Sequence, residues 1–87
     1  MTFKIEVLPS AADALASLPR EIQRRLARKI DALADRPQPQ GVRMLRGKEK
    51  LLRLRVGHYR VIYRLLSERR TIVIVKIGHR GDVYRGH

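Results

Sequence analysis

The feature that most limits what this chain can fold into is the alternation running from residue 51 to residue 77. In LLRLRV, Leu52, Leu54 and Val56 point one way while Arg53 and Arg55 point the other, the period of a strand with one buried face. In YRVIYRLL, Tyr59, Val61, Tyr63 and Leu65 share a face, and Arg60, Ile62 and Arg64 share the opposite one. Between these two runs stands Gly57-His58, where glycine permits the left-handed backbone of a tight hairpin. Residues 67–70 make the next turn. Residues 71–77, TIVIVKI, are apolar on both sides, as in a strand with neighbours and a cover over at least one face. These runs predict a three-stranded antiparallel meander with one apolar face and one basic face.

The rest of the chain supplies the cover. Residues 2–8 alternate Phe3, Ile5 and Val7 against Thr2, Lys4 and Glu6, which predicts an N-terminal strand ended by Pro9. Ser10 with Asp13 three residues on fits a capping box, so a short helix is expected from Ser10, with Ala11, Ala14, Leu15 and Leu18 toward the core. Pro19 suits the first turn of a second helix. Its apolar stripe is Ile22, Leu26, Ile30 and Leu33, and its other face carries Arg20, Arg24, Arg25, Arg28 and Lys29. That basic face reads as a solvated helix surface, with Glu21 and Arg25 spaced to pair. The helix must end before Pro37. RPQPQG is a loop, VRMLRG an extended segment that fits a short edge strand, and Lys48, Glu49 and Lys50 a turn. Two amphipathic helices beside a sheet must bury their stripes on one of its faces, leaving the other open. The expected fold class is α+β in a single domain over residues 1–87: N-terminal strand, helical hairpin, then the meander, with both helices on one sheet face.

Charge is concentrated in the same place. The net charge is +12. Residues 1–42 hold seven Lys/Arg against five Asp/Glu, and residues 43–87 hold thirteen against three. A positive field so localised attracts polyanions, nucleic acid first, then an acidic protein or an anionic membrane surface. Cysteine is absent, which excludes disulfides and thiolate metal sites. Three histidines without carboxylates at ligand spacing make no metal site, and no cofactor is expected. The N-terminus does not look like a signal peptide, and no apolar run approaches the ~20 residues of a membrane span, so a soluble cytoplasmic protein is expected.

The run LRGKEKLLRLRVGHYRVIY, followed by IGHRGDVYR, resembles the RelE branch of the RelE/ParE toxins of bacterial toxin–antitoxin pairs. The strand and helical hairpin at the start, with a Leu-Pro entry to the second helix, are similar too. The resemblance implies a compact α+β fold and a metal-independent, ribosome-dependent endoribonuclease that cuts mRNA in the decoding site. It also implies a cognate antitoxin with an acidic or amphipathic helix, forming a hetero-oligomer that masks the basic face. The family's catalytic arginine falls on Arg60, the arginine of its Gly-x-Arg motif on Arg80, and the tyrosine of its Val-Tyr on Tyr84. Two lysines of well-studied members correspond to Arg53 and Arg55. That departure matters, because an arginine, with a pKa above about 12, is a poor proton acceptor. Arg53 and Arg55 are therefore read as phosphate clamps.

Each assignment has a plainer competitor. Arg60 either stabilises charge on the scissile phosphate or pairs with Asp82 or Glu49. Tyr84 either stacks or relays a proton near Arg80, or closes the edge of the core. His58 and His79 carry the side-chain type best suited to proton transfer near neutral pH, and His79, next to Arg80, is the better candidate for the missing base. Arg43, Arg46, Lys48 and Lys50 are RNA-backbone contacts or solvated charges. The competing functions are a ParE-like inhibitor of DNA gyrase and a non-catalytic RNA-binding module.

Overall fold

The computed structural model describes residues 2–39, 41–46 and 51–79. The chain opens with β1 (Lys4–Val7) and passes directly into α1 (Pro9–Ala16). The helix starts one residue earlier than the capping box at Ser10 and Asp13 implied. Leu8 holds the N-cap position with extended backbone and no side-chain cap, and Pro9 occupies the first helical turn. Proline suits that position because its φ is preset and its missing N–H would have been an orphan anyway. α2 (Arg20–Ala32) follows, with Pro19 itself as the N-cap. The hairpin between the helices is closed by Gln23, whose Nε2 donates to the carbonyls of Leu18 at 2.7 Å and Ala16 at 3.1 Å.

The remaining elements are β2 (Arg43–Arg46), β3 (Leu51–Val56), β4 (Tyr59–Leu66), a 3-10 turn at Ser67–Arg69 and β5 (Thr71–His79). With β1 these strands form one five-stranded sheet with the order β1-β5-β4-β3-β2. The meander is antiparallel, and VRMLRG supplies the edge strand β2. β1 pairs with β5 in parallel, Ile5 opposite Ile72 and Val7 opposite Ile74. A parallel pair needs a long crossover, and the helical hairpin and meander lie between these two strands. Gly57 has φ +60, as the two-residue β3–β4 turn requires.

Both helices cover the same face. Ala11, Leu26, Ile30 and Leu33 are buried against Leu52, Leu54, Val56, Val61, Tyr63, Leu65, Ile72, Ile74 and Ile77. Tyr63 is fully buried, and its hydroxyl donates to the carbonyl of Pro37 at 2.6 Å, anchoring the loop after α2. Burial pushes its phenol up to about 12 from the ordinary 10.0. No helix among the described residues is long and apolar enough to cross a membrane.

One irregularity decides which side chains reach the open face. Ile62 pairs with Lys76 but Tyr63 pairs with Ile74, so Val75 is an extra residue in β5. The bulge reverses the parity of the strand. Ile72 and Ile74 face the helices, and so does Ile77, an odd number of residues further on. Lys76 and Gly78 are turned to the open face by the same step.

Candidate nucleic-acid interface

The register builds the open face in rows. Arg43 lies opposite Arg53, Arg53 opposite Ile62, and Ile62 opposite Lys76. In the next row toward the β3–β4 turn, Arg55 lies opposite Arg60 and Arg60 opposite Gly78. On the other side, Arg64 stands between Leu51 and Val73. Like charges directly across a ladder destabilise a sheet, and this one has two such pairs, Arg43 with Arg53 and Arg55 with Arg60. Side by side they make a positive surface of the kind that suits a polyanion.

Arg60 is the centre of this surface. It is only 5% exposed. Its Nη1 donates to the carbonyl of Tyr59 at 3.3 Å, a long bond. Its Nε is buried and has no hydrogen-bond partner among the described residues. An exposed ion pair, Lys4 with Glu6 at 3.6 Å, lies on the far strand. A guanidinium withdrawn from water with a donor unused is costly by itself and well suited to an incoming anion. Across the ladder, Gly78 brings no side chain to obstruct it. Arg53 is half-buried, while Arg43, Arg55 and Arg64 are exposed.

The sequence-derived residues divide accordingly. The fold gathers Arg43, Arg53, Arg55 and Arg60 on one face. β2 ends at Arg46, whose backbone pairs with Leu51. His79 is not in the gathering. It is the last residue of β5 and pairs with Tyr59, whose ring it meets edge-on at 5.6 Å. Tyr59 packs against the helix-side core, so His79 lies on the side of the sheet away from Arg60. Arg80, Tyr84, Lys48 and Lys50 lie outside the described residues, as do Glu49 and Asp82, the expected partners of Arg60 in the plainer reading. Lys76 was missed by sequence reasoning. With unbroken alternation it would share the helix side with Ile72 and Ile74; the one available signal was a lone cation inside an aliphatic strand.

A family model for the ParE toxin of type II toxin–antitoxin systems, parDE, matches residues 5–84. The chain belongs to the RelE/ParE toxin superfamily. RelE1 of Methanocaldococcus jannaschii, a relative named as a toxin, is 30% identical over 98% of both chains. The RelE–RelB complex of Pyrococcus horikoshii OT3 superposes with a TM-score of 0.85 at 34% identity, covering 94% of this chain and 99% of that one. The RelBE2 toxin–antitoxin complex of Mycobacterium tuberculosis gives 0.79 at 26% identity, with 92% and 100% covered. This RelE-family chain is thus a toxin of the type II toxin–antitoxin class, and its similar solved structures include complexes with the antitoxin RelB.

Proposed function

We propose that this RelE-family toxin is an endoribonuclease that cuts mRNA in the ribosomal A site, and that the arginine face is its active surface. The observation that carries the reading is the buried, under-bonded guanidinium of Arg60, flanked by Arg55 and opposite Gly78. In the reaction, the 2′-hydroxyl of one nucleotide attacks the adjacent phosphate, and the bond to the 5′-oxygen of the next nucleotide breaks. The nucleophile gives up a proton and the leaving oxygen takes one. Arg60 stabilises the charge that builds on the phosphate, and Arg53 and Arg55 hold the strand in line. The resemblance gives Arg80 and Tyr84 the roles of a second phosphate contact and a proton relay or stacking ring. His79 serves as base only if RNA wraps around the end of the sheet, because its ring lies with Tyr59. The arginines themselves are poor bases at neutral pH, so positioning and charge stabilisation supply most of the acceleration.

The cognate antitoxin, on this reading, lays an acidic or amphipathic helix over the domain and masks Arg60. The solved RelE–RelB complexes of similar chains support such a partner.

The test is cleavage of mRNA on programmed ribosomes. The wild type should cut, and Arg60→Ala should lose about a hundredfold or more in rate. Equal rates would remove Arg60 from the site. A second reading, inhibition of DNA gyrase, is favoured by one finding, the ParE family model that spans the chain. Loss of supercoiling activity by purified gyrase, with translation unaffected, would select it.

A further inference from the structure

The end of the sheet where β3 turns into β4 carries a group that the arginine face does not use. His58, in the turn, is exposed. Its imidazole stacks on that of His79, with ring centroids 6.2 Å apart and planes 22° from parallel. The Tyr59 ring, half-buried, stands edge-on against His79 and fixes it. From the helix layer, Arg25 leans over the same turn: a Cβ built on Gly57 would lie 3.6 Å from its Nη2. Three segments far apart in sequence therefore bring two exposed imidazoles, a supporting phenol ring and a guanidinium to one edge of the molecule.

A single exposed histidine in a turn calls for no explanation. A stacked pair with solvent on it and a guanidinium beside it is different. Flat rings take a nucleobase by stacking with little regard to sequence, and an arginine next to them takes its phosphate. Position supports the same ligand. The Val56–Tyr59 pair adjoins the Arg55–Arg60 pair along the ladder, so the rings sit one pair beyond the proposed site of cleavage and around the end of the sheet. A strand held by its phosphate at Arg60 reaches them by turning over that end.

We infer that His58 and His79 form a nucleobase-stacking subsite, with Arg25 on the adjoining phosphate, for a nucleotide flanking the one held at Arg60 in single-stranded RNA. The inference rests on the reading of the arginine face as an RNA site, but not on cleavage.

The test uses a short single-stranded RNA that carries 2-aminopurine and is 2′-O-methylated throughout, so that it cannot be cut by its own 2′-hydroxyl. Binding should quench the fluorophore. His58→Ala should abolish the quench and weaken binding by about tenfold, the size expected for one stacked base. His58→Phe should keep both, and Arg25→Gln should weaken binding while the quench remains. A His58→Ala protein that binds and quenches like the wild type overturns the subsite. So does a His58→Phe protein as impaired as the alanine variant, or a wild type that does not bind the probe. If these binding results hold while the wild type fails to cut mRNA on ribosomes, cleavage falls and the subsite stands.

Discussion

Gly78 stands directly across the ladder from Arg60, so the most deeply buried arginine of the open face has no side chain beside it on β5. The backbone does not demand glycine there, since among the described glycines the positive φ values are at Gly41 and Gly57. Glycine weakens a strand, and a β-branched residue would strengthen it. Gly78→Val should therefore leave the thermal midpoint unchanged or raise it. It should also crowd the guanidinium and lower the cleavage rate by about tenfold or more, one step of roughly 1.4 kcal/mol in the barrier. A midpoint that falls together with the rate would mean that the glycine serves folding instead.

Arg60 itself opposes stability. It is a buried cation facing another arginine, with one donor unused among the described residues. Replacing buried charged groups by apolar side chains of similar volume commonly stabilises a protein by about 1 kcal/mol or more. Arg60→Met should thus be inactive and more stable, with a midpoint higher by roughly 4–8 °C for each kcal/mol in a domain of this size. Arg60→Ala leaves a cavity and is the poorer test of this point. A destabilised methionine variant would show that the arginine is paired after all.

Tyr63 gives a pH signature. Its phenol is held neutral in the fold, with its pKa pushed up to about 12 by burial, against 10.0 in an open chain. The folded-state value is raised, so this stabilisation is complete below pH ~10 and is lost as the pH climbs toward ~12. Tyr63→Phe removes it and leaves the Pro37 carbonyl without its donor, at a cost of about 1 kcal/mol near neutrality. Urea midpoints of the two proteins should differ at pH 8 and converge at pH 11. A gap that stays constant would place the phenol in contact with water.

How much of this could be read from the residues alone depended on whether a period or a pairing carried the information. The stripe Ile22, Leu26, Ile30 and Leu33 and the alternation through β3 and β4 are periods, and they placed the core and the arginine face correctly. The partner of β1 is a pairing, and nothing in FKIEV says that it lies parallel to the last strand. The bulge at Val75 is also a pairing fact. It sends Lys76 to the open face and His79 to the helix side, the reverse of what unbroken alternation from Ile72 would give. The start of α1 was off by one because Pro9 and Ser10 are both good opening residues, and proline without a side-chain cap prevailed. The family resemblance rested on motifs, which survive such errors of parity.

The bulge leads to the last prediction. If Val75 turns Lys76 into the row of Arg43, Arg53 and Ile62, then Lys76 is a phosphate contact that the motif pattern does not include. Each phosphate contact to a single strand contributes about −0.7 to the slope of log affinity against log salt. Lys76→Gln should therefore make that slope shallower by about 0.7 for an uncuttable single-stranded RNA. Arg24→Gln, an exposed arginine on α2 across the molecule, should leave it alone. If both variants shift the slope equally, the RNA is responding to net charge and not to a face. If neither does, Lys76 belongs to the fold, and the row of cations ends at Arg53.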